Sequence, residues 1–549
     1  MKNFNLVDEP WIKVITKDTY KEELVSLKKL FSDPTKYISL AGEMPIQNLA
    51  ILRLLLAILT TAYSRKNFEG QAYNWLKLVE DGLEANDAKD ELQETWEELY
   101  ENNNFSSTIL DYLQEHKSEF DFFGEHPFYQ VTKAEYDALV PTNKNIASGK
   151  GTVSVKQINR RISESNNTPA IFSPTTSEEK NKISLDELIR WVITYQNITG
   201  VTDKTKLQNK NKYSSSNGWL YNIDPVYIKG NNLFETLLLN LKLDETNFQH
   251  PVWEDDLTAY VQKRLDEIRP NNTAELYTLW SRILHIEWDE NDEPTIFSAG
   301  LPGIDGTNYF VEPMTTWKQE SKKDSNDLRP KRKSKMTMDK AIWRNFGDYT
   351  IESNSNHTPG TVRWIHGLID DDMLPEDFDL ELASVGMVSD GNATSQAPYA
   401  EITNEMSLKA SVFFDNDENG WVENINQTIE LTQTIGSYYW YFLKDLNTLS
   451  GLKDGAGDRA SKESRIFYSR LNTPFLNWLA SIKSTDSKVK KVIQWKRQLY
   501  RIALNSAQER FNRATNKEFI GKDEDNQNIE NIFTLYNKFK GQLNNKLKS

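Results

Sequence analysis

Four segments near the end of the chain carry apolar residues at a spacing close to 3.6 residues. The apolar positions are Ile425, Ile429, Ile435, Tyr439, Phe442 and Leu446, then Phe467, Leu471, Phe475 and Leu479, then Val492, Trp495, Leu499 and Ile502, and finally Ile529, Ile532, Phe533, Tyr536, Phe539 and Leu543. This period indicates amphipathic helices that bury one face. Four such helices joined by loops are typical of a four-helix bundle, which we predict for residues 401–549.

The first 400 residues mix helical, strand-like and loop-like segments. Helices are predicted over residues 45–65, 71–100, 109–116, 184–197 and 232–241. Strand-like patterns cover Phe4–Val14 and Thr361–Ile365, and polar loops cover residues 141–182 and 198–222. The predicted fold class is therefore α+β, with a large mixed domain over residues 1–400 followed by the bundle over residues 401–549.

Composition excludes several classes of protein. The 11% of aromatic residues supplies material for cores, so wholesale disorder is excluded. The chain has no cysteine, which excludes disulfides, thiolate metal sites, iron–sulfur clusters and a cysteine nucleophile. The longest apolar stretch, Ile46–Tyr63, is interrupted by Gln47, Asn48 and Arg53, and the N-terminus has no apolar signal region. We expect a soluble cytoplasmic protein with no membrane partner.

Positive charge is concentrated in four segments of an acidic chain whose net charge is −15. Residues 141–162 and 204–222 contain five and four basic residues and no acidic residue. Residues 318–344 and 483–517 contain ten basic residues each, against four and two acidic residues. Basic segments on an acidic body are what a selective polyanion-binding protein needs, because the remaining surface repels phosphates.

Motifs that carry catalysis are absent from the sequence. The six histidines show no zinc-binding spacing, and no nucleophile elbow or dinucleotide fingerprint occurs. Ser148–Thr152 lacks the lysine–serine or lysine–threonine order of a phosphate-binding loop. Asp370, Asp371 and Asp372 could ligate magnesium, which leaves a metal-dependent nuclease as one alternative. The prediction is a protein that is not an enzyme and holds no metal and no cofactor.

Two loops combine residues suited to a nucleic-acid groove. One carries Lys156, Arg160 and Arg161 ahead of Ile171 and Phe172, so cations that contact phosphates precede a small apolar tip. The other places an amide between small residues and a proline at Ser395–Pro398. Such a turn is narrow enough to enter a groove or to wedge between base pairs.

The opening residues Phe4–Val14, with the sequence FNLVDEPWIKV, resemble the N-terminal signature of the CasA family. CasA is the large subunit of the type I-E CRISPR effector Cascade. Further pieces occur in matching order: the HPF-x-Q-like segment His126–Val131, Leu380–Leu382 leading to Ser395–Ala397, and Gly455–Gly457 followed by Phe467–Tyr468. The resemblance spans nearly the whole chain and agrees with the mixed-then-helical organisation.

The resemblance implies a subunit without catalysis that reads the protospacer-adjacent motif (PAM) of target DNA and opens the duplex. Gln396, flanked by Ser395 and Ala397, falls at the family's wedge. The family's glycine-containing loop near the PAM corresponds to Ser214, Ser215, Ser216, Asn217 and Gly218. Ile171, Phe172 and Ser173 resemble the loop that anchors the subunit against the crRNA 5′ end and its neighbour.

Contacts with the DNA backbone are implied for six basic residues. They are Lys318, which is also the candidate for the PAM-reading lysine, and Lys322, Lys323, Lys331, Arg332 and Lys333, which fall where the family guides the displaced strand. The implied partners are target double-stranded DNA, crRNA, the backbone, small and crRNA 5′-end subunits of Cascade, and a recruited helicase–nuclease.

A protein that reads the minor groove distinguishes mainly A·T from G·C, so the guide RNA would supply the sequence specificity. Opening the duplex costs about 1.4 kcal/mol of stacking per base-pair step, which a wedge and several lysine contacts could offset for one or two steps. A scaffold that binds only other proteins is the second alternative to this function.

Overall fold

The computed structural model describes residues 3–76, 78–79, 82–83, 88–149, 151–164, 173–198, 205, 207–208, 217–244, 247–290, 293–320, 326–351, 357–389, 398–452, 454–523 and 529–548. The chain forms two compact units. Unit 1 comprises residues 1–338, 356–373 and 382–404, and unit 2 comprises residues 339–355, 374–381 and 405–549. The domain boundary at 400/401 stays a prediction, since compactness alone does not define an independently folding domain.

Both helices and strands are present, which confirms the α+β class. The strands are β1 (Ile12–Thr16), β2 (Glu22–Val25), β3 (Tyr37–Leu40), β4 (Leu78–Val79), β5 (Gly82–Leu83), β6 (Val226–Ile228), β7 (Arg282–Trp288), β8 (Pro294–Gly300), β9 (Trp317–Gln319), β10 (Leu328–Pro330), β11 (Asp379–Ser389), β12 (Pro398–Lys409), β13 (Lys522–Asp523) and β14 (Ile529–Glu530). They form two three-stranded sheets, β2-β1-β3 and β12-β11-β6, and four two-stranded ones.

Helices make up most of the regular structure in the described residues. The α-helices are α1 (Leu27–Ser32), α2 (Pro45–Tyr63), α3 (Ala88–Asn102), α4 (Ser107–Glu115), α5 (Lys133–Leu139), α6 (Val155–Ile158), α7 (Leu185–Ile198), α8 (Leu233–Asn240), α9 (Leu257–Leu265), α10 (Thr273–Tyr277), α11 (Gly360–Asp370), α12 (Ala410–Phe413), α13 (Trp421–Leu449), α14 (Ala456–Ala480), α15 (Lys488–Asn512), α16 (Asn516–Ile520) and α17 (Ile532–Leu547). Short 3₁₀ helices occur between them, among them Trp219–Asn222.

The core of unit 1 is organised around α2. This helix begins at Pro45, a residue that suits the first turn because its missing N–H has no helical partner there. By length and composition α2 could cross a membrane, yet 94% of its apolar window is buried inside the protein, as expected of a core helix. It packs against α7 and α10. Its one charged residue, Arg53, is fully buried and needs a counter-charge, which is provided by Glu312.

The four long helices of unit 2 pack against one another as the predicted bundle. The Tyr439 ring on α13 lies 4.8 Å from the Phe467 ring on α14 and 5.8 Å from the Phe539 ring on α17. Phe475 and Trp495 connect α14 to α15 with ring centroids 4.8 Å apart. Each fully buried side chain of this size contributes roughly 1.5–3 kcal/mol, so these aromatic contacts help to stabilise the bundle.

Several sequence predictions differ from the structure. The strand predicted over Phe4–Val14 begins only at Ile12, after a turn at residues 6–8. Residues 361–365 form part of helix α11 and not a strand, because Val362, Ile365 and Leu368 repeat every three residues and bury one helix face. The helix predicted over residues 71–100 begins only at Ala88, after the paired strands β4 and β5, where Gly82 disfavours helix. Phe533 and Ile529, expected in the bundle core, are 50% and 57% exposed.

Candidate nucleic-acid interface

The sheet β12-β11-β6 brings several predicted site segments to one end. Strand β11 runs antiparallel to β6, with Leu382 opposite Ile228 and Ser384 opposite Val226. The N-terminal end of β6 therefore lies toward Ser389, the last residue of β11, and β12 is the hydrogen-bonded neighbour of β11. Residues Asn217–Asp224 lead into β6, while residues 390–397 connect β11 to β12. The predicted serine-rich loop and the predicted wedge are thus attached to the same end of one sheet.

Gly218 is fixed by the helix that precedes its loop. A Cβ on this glycine would lie 2.2 Å from the backbone carbon and oxygen of Asn197 in α7, so no larger residue fits without movement. Close approach of two backbones is a common reason for a glycine. The residue expected to approach a DNA groove therefore has a structural role as well, and Asn217 beside it is partly exposed.

A buried ion pair supports the residues that follow Gly218. Arg53 on α2 forms a two-pronged ion pair with Glu312, with nitrogen–oxygen distances of 3.0 and 2.9 Å, and both side chains are fully buried. The same carboxylate accepts a hydrogen bond from the Trp219 indole N–H and one of 2.9 Å from the Met314 backbone N–H. The Arg53 guanidinium also lies 4.0 Å from the centre of the Tyr277 ring. One carboxylate therefore connects the core helix to the base of the candidate interface.

Lys333 is buried and ion-paired, unlike a lysine that is free to contact a phosphate. Its side chain is 8% exposed, and its ammonium lies 3.7 Å from the carboxylate of Asp224. Asp224 also accepts a hydrogen bond of 3.1 Å from the Ser384 hydroxyl on β11. Burial raises the pKa of Asp224 and lowers the pKa of Lys333, and their mutual attraction opposes both shifts. A phosphate contact by Lys333 would require this buried pair to open.

Lys331 and Arg332 remain at the surface beside that pair. The Lys331 backbone carbonyl accepts a hydrogen bond of 2.8 Å from the Asp224 N–H, which aligns the basic segment with the start of β6. The Arg332 guanidinium lies 4.6 Å from the centre of the Tyr221 ring, a cation–π arrangement. The structure thereby brings the described end of the serine-rich loop and the segment Lys331–Lys333 together. The side chains of Lys331 and Arg332 are partly exposed.

Lys318 lies on an exposed hairpin. It sits on β9 directly opposite Arg329 on β10. Arg329 is engaged by two acids, Glu320 at 3.3 Å and Asp305 at 3.5 Å. Because those acids offset the charge of Arg329, they reduce its repulsion of Lys318. The Lys318 side chain is exposed and is available to a phosphate.

Sequence reasoning did not single out Lys335, Met336 or Tyr399 as site residues. The Lys335 ammonium lies 4.7 Å from the centre of the Tyr399 ring on β12, and Tyr399 is 53% exposed. Met336 is 90% exposed on a turn closed by hydrogen bonds from the Thr337 and Met338 N–H groups to the Ser334 carbonyl, of 3.0 and 2.8 Å. Lys335 belongs to a basic segment that the sequence made visible, whereas its pairing with Tyr399 needs the fold.

The predicted anchoring loop has a fixed base. Glu164 forms ion pairs with Lys156, at 2.9 Å, and with Lys180, so the two ends of the loop are held together. Arg160, expected among phosphate ligands, is 4% exposed, and burial lowers its pKa to about 10. Ser173 is partly exposed, and its side chain accepts a hydrogen bond of 3.3 Å from the Thr175 N–H.

Several predicted site residues lie outside the described residues. They are Ile171, Phe172, Ser214, Ser215, Ser216, Lys322, Lys323, Ser395, Gln396 and Ala397. Their roles in anchoring, PAM reading, backbone contact and wedging stay predictions. For the wedge, the described neighbours are Ser389 and Pro398, which end β11 and begin β12.

Two of the three aspartates of the nuclease alternative have separate partners. Asp370 pairs with His366 at 2.9 Å, while Asp371 accepts a hydrogen bond of 2.8 Å from Gln93. They form the C-terminal end of α11 and the turn after it. Within the residues that the structure describes, no group of three or more histidine, aspartate or glutamate side chains is placed to hold a metal ion.

Comparison with known proteins agrees with the architecture. The sequence matches the family described as CRISPR-associated protein Cse1 over residues 5–506. It is 22% identical over 452 residues to a CRISPR-associated protein CasA/Cse1 of Thermus thermophilus, an alignment that covers 79% of this chain and 76% of the relative.

Solved structures show the same fold over the full length. Thermobifida fusca Cse1 matches with a TM-score of 0.78 and 19% identity, covering 100% of this chain and 98% of that chain. Cse1 of Acidimicrobium ferrooxidans matches with a TM-score of 0.71 and 18% identity, covering 100% of both chains. A chain of a structure described as a CRISPR RNA-guided surveillance complex matches with a TM-score of 0.65 and 13% identity, over 99% of this chain and 100% of that one. Because the family match extends over residues 5–506, this chain belongs to the Cse1 (CasA) family of CRISPR-associated proteins.

Proposed function

We propose that this chain is the large, non-catalytic subunit of a CRISPR RNA-guided surveillance complex in the cytoplasm. In this function it reads the PAM of target double-stranded DNA, separates the first base pairs and so starts the R-loop. Its partners are crRNA and the backbone, small and crRNA 5′-end subunits of Cascade. The family match supports this function, as does the matching chain from a structure described as a surveillance complex.

The observation that carries the DNA-binding role is the convergence at one end of the sheet β12-β11-β6. The partly exposed Lys331 and Arg332 and the exposed Lys335 lie beside the start of β6 and the start of β12, and β11 and β12 lead to the segment that contains Gln396. Positive side chains near the ends of β11 and β12 suit a surface that holds phosphates while a small group enters the duplex. Gln396, between Ser395 and Ala397, is the proposed wedge.

Opening of the duplex needs only a small local gain. One base-pair step costs about 1.4 kcal/mol of stacking, while pairing with the guide RNA compensates each later step. Contacts from Lys318, Lys331 and Arg332 to the backbone, and from the exposed Met336 to an unstacked base, would lower the cost of the first step. Ile171, Phe172 and Ser173 would anchor the subunit against crRNA, and a helicase–nuclease would be recruited to the opened target.

The test is binding of a target duplex by a Cascade core reconstituted with and without this chain. Correct and scrambled PAMs are compared, and R-loop formation is followed by permanganate reactivity of unpaired thymines. We expect PAM-dependent binding only with the chain present. Gln396→Ala should slow R-loop formation by about tenfold, the factor that corresponds to one lost base-pair step.

Gln427→Ala is the matched control, because Gln427 is an exposed glutamine on α13 in unit 2. Equal duplex binding with and without the chain would reject the DNA role and favour a protein-binding scaffold. Cleavage of the duplex by the chain alone, dependent on added magnesium and lost in Asp370→Asn, would favour the nuclease alternative. Normal R-loop formation by Gln396→Ala would remove that residue as the wedge.

A further inference from the structure

Residues 483–517, one of the two segments with ten basic residues, lie mostly on α15. The proposed function gives this segment no role. Helix α15 buries Trp495, Leu499 and Ala503 against the bundle. Lys490, Arg497 and Arg501 are exposed. At 100° per residue these three cations fall on the side of the helix opposite the buried residues. We call Lys490, Arg497 and Arg501 the cationic stripe.

No acidic side chain in the described part of the chain pairs with the cations of the stripe. Among the described residues, none of the three side chains forms an ion pair, in contrast to other cations of the same segment. Lys488 pairs with Asp415 at 3.3 Å and Lys491 with Asp486 at 3.2 Å. The one acidic residue of α15, Glu509, pairs with Arg470 on α14 at 2.7 Å. Within the described residues, the stripe is therefore a surface of positive charge without paired acids, on a chain whose net charge is −15.

The spacing of the stripe fits a row of phosphates. Arg501 follows Lys490 by eleven positions, which corresponds to about 16 Å along a straight helix. Proteins that hold a single strand use positively charged grooves that follow its backbone, and a row of this length can face several phosphates. Gln494 and Gln498 line the same shallow groove and add amide groups that hydrogen-bond to phosphate or base.

Apolar residues beside the stripe favour a single strand over a duplex. Val489 is 69% exposed and Ile493 is 41% exposed, and Ile493 lines the groove together with the three cations. Unpaired bases offer apolar faces to such side chains, whereas the bases of a duplex are stacked inside it. We propose that the cationic stripe of α15 binds the phosphodiester backbone of a single nucleic-acid strand.

This site is separate from PAM reading and can be tested on the chain alone. The full-length protein is titrated against fluorescein-labelled oligothymidylate, oligouridylate and a duplex of equal length, with fluorescence anisotropy as the readout at several salt concentrations. The variant is Lys490→Gln/Arg497→Gln/Arg501→Gln. We expect it to weaken single-strand binding on the order of tenfold and to reduce the salt slope by about 2, since each phosphate contact on a single strand contributes about 0.7.

The control is Lys17→Gln/Lys21→Gln/Lys28→Gln, which removes the same charge from exposed lysines of unit 1. Unchanged circular dichroism establishes that both variants fold. Equal weakening by the two variants, duplex binding as tight as single-strand binding, or no binding of either single strand at low salt would each overturn the proposal. Loss of assembly with the other Cascade subunits while oligonucleotide binding persists would show a protein interface instead. Tighter binding of oligothymidylate would identify DNA as the ligand, and tighter binding of oligouridylate would identify RNA. If the reconstituted complex showed no PAM dependence, the proposed function would fail, but the result of the oligonucleotide titration would still stand.

Discussion

The segment Lys331–Lys335 in unit 1 and the cationic stripe in unit 2 look alike in the sequence, since both come from segments with ten basic residues. In the structure, the basic side chains of the two regions have different partners. Lys333 is buried against Asp224, and the neighbouring Arg332 and Lys335 each lie over a tyrosine ring. The stripe on α15 makes no such internal pairs among the described residues. The charge of a segment therefore says little about how much of it is free to bind a ligand.

The two regions also rest on different kinds of core. The interface of unit 1 is supported by buried ionic groups, Arg53 with Glu312 and Lys333 with Asp224. The stripe of unit 2 is carried by a helix whose inner face is aromatic and aliphatic. A buried charge is costly when its partner is removed, whereas an exposed cation on a well-packed helix can be changed with little loss of stability. Substitutions of the charged residues should therefore lower the free energy of unfolding more at the unit 1 interface than at the cationic stripe.

The largest expected effect is on the support of the unit 1 interface. Glu312→Gln keeps the shape of the side chain but leaves Arg53 buried without a counter-charge. Breaking a fully buried pair in this way typically costs 3–5 kcal/mol, so the free energy of unfolding in urea should fall by about 4 kcal/mol. The matched control is Glu509→Gln, which breaks an exposed pair with Arg470 and should leave the free energy of unfolding nearly unchanged. Equal losses in the two variants would contradict the structural role assigned to Glu312.

The next effect distinguishes Lys333 from its neighbours. Lys333→Gln leaves the Asp224 carboxylate buried without its cation, and we expect a loss of about 2 kcal/mol in the free energy of unfolding. Lys331→Gln/Arg332→Gln should cost less than about 1 kcal/mol, because both side chains are partly exposed.

The same variants should respond in the opposite order when DNA is added. In the reconstituted complex, the double variant should reduce the salt slope of duplex binding by about 2, since each phosphate contact on a duplex contributes about 0.9. Lys333→Gln should leave that slope unchanged at a temperature where it is folded. A lower slope for Lys333→Gln would mean that the Asp224–Lys333 pair opens to bind a phosphate.

Apolar patterns that repeat over many helical turns were predictable from the sequence, whereas contacts between segments far apart in the chain were not. The apolar repeat of α13, from Ile425 to Leu446, extends over six turns, so the period of 3.6 is unambiguous. Thr361–Ile365 is too short to distinguish a strand from one face of a helix, and the structure shows a helix there. The family resemblance, carried mainly by Phe4–Val14, was confirmed by the match over residues 5–506.

The sequence predicted which segment of the candidate site is basic, but not which of its basic side chains are exposed. The basic run containing Lys331 to Lys335 was visible in the sequence, yet nothing local indicates that Lys333 turns inward to Asp224, which lies far earlier in the chain. Arg53 and Glu312 are similarly distant, and only the fold brings them together. Likewise, Lys156 was expected to contact phosphate, whereas the structure pairs it with Glu164.

The smallest expected effect is a pH dependence of stability that belongs to unit 1. The His250 ring lies between two carboxylates, with Nε2 2.6 Å from Asp255 and Nδ1 3.3 Å from Glu254. Hydrogen bonds to these two acids raise the pKa of His250 to about 9, and bonds from His250 and Arg65 help to lower the pKa of Glu254 to about 2 despite its burial. Both ring nitrogens donate only when the imidazole is protonated, so the cluster is complete only in that state.

The sign of the effect follows from the raised pKa of His250. The folded protein holds the proton more tightly than the unfolded chain, so this contribution to stability is fully present below pH 6.5 and is lost as the pH rises toward 9. With a side chain that is 31% exposed, the loss should be about 1 kcal/mol after solvent screening. Urea unfolding of the wild type, followed by tryptophan fluorescence at pH 6 to 9.5, should show it, and His250→Gln should flatten the curve in that window.

His126→Gln is the matched control, because His126 is exposed and forms no ion pair within the described residues. Its unfolding curve should follow the wild type across the whole range. The cationic stripe contains no histidine, so oligonucleotide affinity at constant salt should stay level over the window in which stability falls. If affinity fell together with stability, binding would depend on unit 1, and the assignment of single-strand binding to α15 would fail with it. A pH-independent free energy of unfolding in the wild type would instead remove the His250 cluster as a source of stability and leave the stripe untouched.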